Sequence, residues 1–303
     1  MSLLSSTQGN FERVRSLVQV LAAHGGELPR ASALSWLQPR WKGLDHEPSS
    51  SAGTQIIGAC RSLGFLQEGS DPLQLRNPSV ATDIPTFADL VHEALVSAGH
   101  SDPAEDELSI SEDAVPIWTY AWFVVRCDLE KGTSWISATT AKDLEGAIDG
   151  FLRGTSASGT KLFNTTKLPY WRRWLSAAGL IVDTKGRYFP DLSPRLAREL
   201  AAVAIKRGSD TEIPIEDLLE DLRPRMPYLD GGEFHLQAVK RLRFAPPPQQ
   251  LSFILSAGLR TLHEDGVIEL STIGDAPSQS LFPEDITTTK AVRFVTIKSQ
   301  ADQ

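Results

Sequence analysis

One local pattern occurs three times in this chain of 303 residues: an apolar helix ends at a glycine and leads directly into a short β-hairpin. The three glycines are Gly64, Gly179 and Gly266. Apolar residues recur at helical spacing before each glycine, and two apolar residues that can begin a strand follow it. Glycine here is typical of a helix with a left-handed C-cap. A helix, a glycine and a hairpin form the last helix and wing of a winged helix-turn-helix module.

The order of the predicted elements divides the chain into three such modules, with boundaries at 1–100, 101–192 and 193–303. Apolar spacing predicts helices over 10–23, 30–37, 52–63, 87–96, 112–130, 140–152, 164–178, 194–206, 215–222, 233–242 and 249–265. The predicted wings pair 65–66 with 73–75, 180–182 with 188–189, and 267–270 with 292–297. The expected fold is mainly α with short β-hairpins, an α+β protein built as a tandem array of three winged-helix modules.

Composition favours a globular protein of the cytoplasm. Hydrophobic residues make up 41% of the chain, which is close to the globular average. The N-terminal residues lack the basic start and apolar run of a signal peptide, and the longest apolar stretch, 117–125, is too short to span a membrane. The two cysteines, Cys60 and Cys127, fall on apolar helix positions, so we expect buried thiols in a reducing compartment.

Charge is unevenly distributed along the chain. The net charge of −8 argues against a protein that coats nucleic acid indiscriminately. Residues 101–113 and 210–221 each hold six acids and no Lys or Arg, whereas 161–198 holds eight bases and two acids. The segment 101–113 is expected to be a linker. The excess of bases therefore includes the last helix and the wing of the second module.

No motif in the sequence supports catalysis. Residues 154–161 resemble a phosphate-binding loop, but Thr160 separates the second glycine from Lys161, and the loop follows a predicted helix instead of a strand. The six histidines show no metal-ligand spacing with acids or cysteines, and no Gly-x-Ser-x-Gly nucleophile elbow occurs. We therefore expect neither an enzyme nor a bound cofactor or metal.

The predicted helix 164–178 carries the pattern that best fits a positive function. If Trp171 points inward, helical rotation places Trp174 on the same side and Arg173 almost opposite, with Arg172 on the flank. A winged helix inserts its last helix into a major groove and lays its wing on the adjacent backbone, so bases are needed on both. The candidate DNA-binding residues are Lys167, Arg172, Arg173, Lys185 and Arg187.

The other two modules offer weaker candidates for DNA contact. The last helix of the first module carries only Arg61, with Thr54 and Gln55 as polar residues, a set that fits protein packing equally well. In the third module Arg260 lies near Glu264 and Asp265, whose charges would repel phosphate. A basic face that only aids solubility is an open alternative for the second module.

The start of the chain resembles a known family. Residues 1–9 (MSLLSSTQG), followed by Arg13-Val14 and the helix stop at 21–26 (LAAHGG), look like the DpdG-type proteins. These belong to bacterial gene clusters that place 7-deazapurines in DNA and are linked to phage defence. The resemblance implies an accessory component that works with DNA-modifying or DNA-restricting partners, and it transfers no functional residue.

Two functions therefore stay open. The first is a non-catalytic subunit of a bacterial DNA-associated complex that contacts double-stranded DNA, chiefly its phosphates, mainly through the second module. The second is a scaffold that binds protein partners or a second copy of itself. Acidic tandem winged-helix proteins that serve chromosome-organising ATPases are similar in architecture, and that role would suit the charge of −8.

Overall fold

The computed structural model describes residues 2–38, 50–69, 71–100, 110–155, 159–184, 187–284 and 289–299. In chain order its elements are α1 (Phe11–Ala23), β1 (Glu27–Leu28), α2 (Arg30–Leu37), α3 (Ser50–Ser62), β2 (Leu73–Gln74), α4 (Ile84–His100), α5 (Val115–Leu129), α6 (Ser134–Ala138), α7 (Ala141–Leu152), α8 (Leu168–Ala177), β3 (Ile181–Thr184), β4 (Arg187–Pro190), α9 (Ser193–Arg207), β5 (Glu212–Pro214), α10 (Ile215–Leu222), α11 (Glu233–Leu242), α12 (Phe253–Glu264), β6 (Ile268–Ser271), β7 (Gln279–Ser280), β8 (Ala291–Val292) and β9 (Phe294–Ile297). The protein is α+β and mostly helical, as predicted.

Contacts between Cα atoms divide the chain into two compact units. The first comprises Met1–Pro116 and Gly154–Ala178, and the second comprises Ile117–Arg153 and Gly179–Gln303. The first unit contains α1 to α4 and α8, and the second contains α6, α7, α9 to α12 and the strands β3 to β9. The three-module boundaries stay a prediction.

The glycine pattern has the predicted backbone conformation at all three sites. Gly64, Gly179 and Gly266 have φ angles of 72°, 75° and 74°, in the left-handed region that favours glycine. After Gly266, the N–H of Val267 donates to the carbonyl of Leu262 at 2.9 Å, which satisfies a carbonyl at the end of α12. Each of these helices ends two residues before its glycine.

Three short strands, β1, β5 and β7, were not predicted, and the first two complete sheets with the predicted wings. β1 pairs antiparallel with β2 in the first unit, next to an antiparallel bridge between Leu66 and Leu75. In the second unit β5 joins a three-stranded antiparallel sheet in the order β5-β9-β6. β7 pairs antiparallel with β8, which includes the first residue of the predicted wing strand 292–297. Each strand lies far in sequence from its partner.

The described helices otherwise follow the apolar spacing, with differences of one to four residues at their ends; α4, predicted over 87–96, spans Ile84–His100. α8 begins at Leu168 instead of 164, because the Asn164 side chain accepts the Lys167 N–H in a turn that precedes the helix. α12 begins after Ser252, whose hydroxyl caps it by accepting the N–H of Leu255 at 3.3 Å. The short helix α6 was not predicted. Residues 39–49, between the predicted helices 30–37 and 52–63, and residues 101–109, in the predicted linker, lie outside the described residues.

The core of the second unit is rich in aromatic side chains. The ring centroids of Tyr120 and Tyr228 are 5.0 Å apart, and those of Trp118 and Phe234 are 4.7 Å apart. The Tyr120 hydroxyl donates to the carbonyl of Leu180 at 3.0 Å, so its polar end is satisfied inside the core. This packing fixes α5 against α11 and the start of the β3–β4 hairpin.

The two cysteines are buried, as predicted. Burial raises the pKa of the Cys60 thiol far above its usual value and raises that of Cys127 to about 12, so both are protonated at neutral pH. Among the described helices, none combines the length and apolar character needed to cross a bilayer.

Candidate functional site

The helix α8 separates its tryptophans from its arginines as predicted. Trp171 and Trp174 are buried, and the Trp171 ring packs edge-on against Phe163 with centroids 6.2 Å apart. Arg173 is exposed, with its guanidinium 5.8 Å from the centre of the Tyr170 ring, and Arg172 is half-buried. One side of α8 is therefore core, while the side that bears Arg173 meets solvent.

Lys167, at the start of α8, differs from the two arginines. Its Nζ donates to the carbonyls of Lys161 at 3.1 Å and Leu162 at 2.9 Å. Burial lowers the pKa of this ammonium, and the negative charge of Glu112 partly offsets the effect. Two of its three N–H donors are thus already used within the protein.

The predicted wing residues lie in the second unit, whereas α8 lies in the first. Arg187 is exposed at the start of β4, where it pairs in register with Thr184. Lys185, which the sequence predicts to lie in the turn of this wing, is outside the described residues. The structure therefore places Arg172 and Arg173 on α8, Lys167 at the N-cap of that helix, and Arg187 on a separate hairpin.

Candidate residues on α3 and α12 are engaged inside their own units. The Gln55 side chain accepts hydrogen bonds from the Thr7 hydroxyl and the Gln8 N–H, both at 2.9 Å, and Arg61 donates to the carbonyl of Gly69. Arg260 is buried: it donates to the Phe282 carbonyl at 2.7 Å and lies 3.2 Å from the carboxylate of Glu284. These contacts position loops.

A second candidate site, which the sequence did not reveal, is a cavity of about 670 Å³ inside the second unit. Its walls come from the end of α5, from α10 and α11, and from the segments before and after α12. The volume lies within the range of about 300–1,000 Å³ that is typical of small-molecule sites. We call it the α11 cavity.

Two acids of the α11 cavity cap the N-terminus of α12. Asp128 accepts the N–H of Phe253 at 2.6 Å, while the two carboxylate oxygens of Asp230 accept the N–H and the hydroxyl of Ser252, both at 2.6 Å. Burial raises the pKa of Asp128 to about 7, and the charge of Asp230 adds to the increase, although the Phe253 hydrogen bond opposes it. Asp128 therefore changes charge near neutral pH.

Sequence reasoning missed the cavity because its polar residues match no motif. Arg223 and His235 lie twelve positions apart on either side of the pair Gly231-Gly232. Gly231 has a φ of 75°, and the turn at these glycines returns the chain toward Arg223. In the sequence, the pair Gly231-Gly232 is the local signal that the backbone here approaches a side chain closely.

Within the described ranges, no group of three or more His, Cys, Asp or Glu side chains is arranged to hold a metal ion. A protein-family model described as DpdG-like matches residues 1–276 of the chain. No curated protein and no solved structure matches the chain.

Proposed function

The chain belongs to the DpdG-like family, whose members are components of the Dpd DNA-modification and defence system, and we propose that it acts in that system as a non-catalytic winged-helix accessory subunit. In this proposal it contacts double-stranded DNA mainly through α8 and the β3–β4 hairpin. Its protein partners are other Dpd proteins.

The order of elements supports the winged-helix part of the proposal. In the first unit α1, β1, α2, α3 and β2 follow one another, with β1 paired to β2. In the second unit α9, β5, α10, α12, β6 and β9 repeat this order, with α11 inserted before α12 and a sheet in the order β5-β9-β6. A helix, a short strand, two further helices and a terminal hairpin make a winged-helix module.

The observation that carries the DNA contact is the position of the arginines on α8. Because Trp171 and Trp174 anchor the helix in the core, the exposed guanidinium of Arg173 is held on a fixed surface. Arginine on such a surface pairs well with phosphate oxygens, which fix position on the duplex but carry no base sequence. We therefore propose contacts chiefly to phosphate, with low sequence preference.

We propose unequal roles for the five candidate residues. Arg173 is the main contact and Arg172 supports it from the flank, while Arg187 and Lys185 contact the backbone from the hairpin. Lys167 contributes less, because two backbone carbonyls already hold its ammonium.

The test is a titration of duplex DNA with the full-length protein at several salt concentrations, read by fluorescence anisotropy. We expect R172E/R173E to weaken binding and to reduce the slope of log K against log salt by about 2, since two phosphate contacts are lost. Lys142 and Lys240 are exposed on α7 and α11. The control K142E/K240E changes net charge by the same amount, so it separates a local contact from a general electrostatic effect.

Unchanged affinity in R172E/R173E, or an equal loss in the control, would overturn the DNA contact. Circular dichroism of each variant must first show that α8 has not unfolded. The arginines are suited to substitution because neither belongs to the buried core.

A protein scaffold without DNA contact is the second candidate. It is favoured by large apolar side chains in solvent on the second unit: Ile205 is 89% exposed on α9 and Leu236 is 55% exposed on α11. Size-exclusion chromatography with light scattering, alone and with other Dpd proteins, tests this role. A monomer that binds DNA tightly and no Dpd protein would exclude it.

A further inference from the structure

The guanidinium of Arg173 lies over the ring of Tyr170, one turn earlier in α8, at 5.8 Å from the centre of the ring. A cation at this distance from an aromatic ring is attracted by the negative charge on the ring face. Residues three positions apart are neighbours on the surface of a helix. The contact is therefore formed within α8 and needs no other element.

The ring of Tyr170 is itself held in place. Its side chain is half-buried, and the next residue, Trp171, is fully buried against Phe163. Pro169 precedes it in the first turn of α8, and the N–H of Tyr170 donates to the carbonyl of Lys167 at 3.1 Å. A tyrosine side chain has only two χ angles, so holding it in one conformation costs little entropy. The ring is therefore a fixed platform for the guanidinium.

The contact with the ring leaves the hydrogen-bond donors of Arg173 available. A guanidinium has five N–H donors. The attraction to the ring acts on the charge of the group and uses no conventional hydrogen bond. In the described part of the chain, the side chain of Arg173 makes neither a hydrogen bond nor an ion pair. The ring thus restrains the guanidinium without occupying the N–H groups from which a phosphate could accept.

Two other arginines that contact aromatic rings are engaged differently. Arg126 lies 5.8 Å from the centre of the Trp135 ring and also pairs with Glu130 at 2.5 Å. Arg241 lies 5.4 Å from the centre of the Phe151 ring and donates to the carbonyl of Phe151 at 2.8 Å. Both guanidinium groups serve contacts inside the protein, whereas the one on α8 has its donors available for a partner.

The charges on α8 match an anionic partner. The stretch 164–178, which includes the whole helix, contains three bases and no Asp or Glu. The negative charge of Glu112 acts on Lys167 at the start of the helix. Arg173 lies six positions further on, about 9 Å along the helix axis. The guanidinium is therefore held on a surface that attracts phosphate.

We propose that Tyr170 is a positioning residue for the DNA contact: its ring holds Arg173 in the conformation that pairs with a phosphate of the duplex. This inference rests on the DNA contact proposed above and specifies how α8 makes it. An arginine that is restrained before binding loses less conformational entropy when it pairs with a phosphate. Tyr170 thus raises the affinity of the contact and leaves its number of charges unchanged.

The experiment is a double-mutant cycle on the full-length protein, in which duplex DNA binding is read by fluorescence anisotropy. The four proteins are the wild type, Y170L, R173Q and Y170L/R173Q. Leucine keeps an apolar side chain on α8 but has no aromatic ring. We expect Y170L to weaken binding about two- to fivefold, the change that corresponds to an exposed cation–π contact. In the presence of R173Q, Y170L should have no further effect.

Salt dependence distinguishes a lost position from a lost charge. R173Q removes one phosphate contact and should reduce the slope of log K against log salt by about 1. Y170L keeps every charge, so its slope should equal that of the wild type. Y170F retains the ring and should keep most of the affinity that Y170L loses.

W36L is the matched control. Trp36 is an exposed aromatic side chain on α2 in the same unit, and its ring lies against His24 instead of an arginine. We expect W36L to bind the duplex as the wild type does. Thermal denaturation checks that each variant folds, and Y170M, with an unbranched apolar side chain, replaces Y170L in the cycle if Y170L does not.

The possible failures are distinguishable. Unchanged affinity in R173Q would overturn the DNA contact of Arg173 and the role of Tyr170 with it. If R173Q weakens binding, the role of Tyr170 alone is overturned by wild-type affinity in Y170L or by an equal loss from Y170L in both backgrounds. A loss in Y170F or W36L as large as that in Y170L would also overturn it, because the effect would not depend on the ring beneath the guanidinium.

Discussion

Glu199 accepts a hydrogen bond from Nη1 of Arg195, one turn earlier in α9, at 3.3 Å, and both side chains are 2% exposed. The second carboxylate oxygen of Glu199 accepts from Nε of Arg225, whose side chain is about half exposed. The pair lies beneath the Gly179 turn, because the backbone and Cβ of Arg195 are the nearest atoms to a Cβ built on that glycine. A buried ion pair of this kind positions α9.

Breaking this pair should be costly. E199A leaves the buried guanidinium of Arg195 without its carboxylate, and we expect a loss of about 3–5 kcal/mol in the free energy of unfolding. Urea denaturation measures it. E220A, at an exposed site on α10, is the control and should change stability little. A loss below 1 kcal/mol in E199A would show that the pair contributes little beyond its own desolvation cost.

The half-buried Asp128 should make stability depend on pH. Its pKa is about 7 in the folded protein, well above the usual value of 3.8, so the folded state binds more protons between these values. Stability from this group is therefore present at low pH and is lost as pH rises through that window. At one pKa unit per 1.36 kcal/mol, the loss is on the order of 4 kcal/mol.

D128N removes this titration and keeps an oxygen that can accept the Phe253 N–H. The variant and the wild type should have similar stability near pH 4, and the variant should be the more stable near pH 8. Denaturation curves at the two pH values measure the difference. A constant difference between the proteins would contradict the raised pKa.

The glycine at the end of α12 gives a test of backbone strain alone. A Cβ at Gly266 would meet no atom within 4 Å, so G266A should cost only the strain of the left-handed conformation, about 1–2 kcal/mol. G266N should cost less, since asparagine tolerates this conformation better. Gly26 is different, because a Cβ there would lie 2.8 Å from Pro78. If urea denaturation showed that G26A lowers the free energy of unfolding no more than G266A does, the close approach to Pro78 would not contribute to the cost.

The side chain of Thr140 caps the N-terminus of α7. The Thr140 hydroxyl accepts the N–H of Asp143 at 3.2 Å. T140A should therefore lower the free energy of unfolding by about 1 kcal/mol, and T140S should retain most of it. T261A is the control, because Thr261 is exposed within α12 and caps no helix. Equal effects of T140A and T261A would count against the cap.

Sequence alone located the helices better than the strands or the α11 cavity. α2, α10 and α11 have the predicted bounds, since apolar spacing and their flanking residues are local signals. β1 and β5 have two and three residues, too few for a visible alternation, and they form because distant segments pair with them. The approach of Arg223 to Gly231 likewise depends on the turn at that glycine, which no spacing rule encodes.

The sheet β5-β9-β6 has a consequence for the choice of boundaries in truncated forms of this protein. The family match ends at residue 276, but the middle strand of the sheet is β9, Phe294–Ile297. An expression fragment cut at the end of the match would keep both outer strands and lose the strand that joins them. The backbone N–H and C=O groups of β5 and β6 that pair with β9 would then lack partners. Exposed strand edges of this kind can pair with neighbouring molecules, so we expect such a fragment to aggregate.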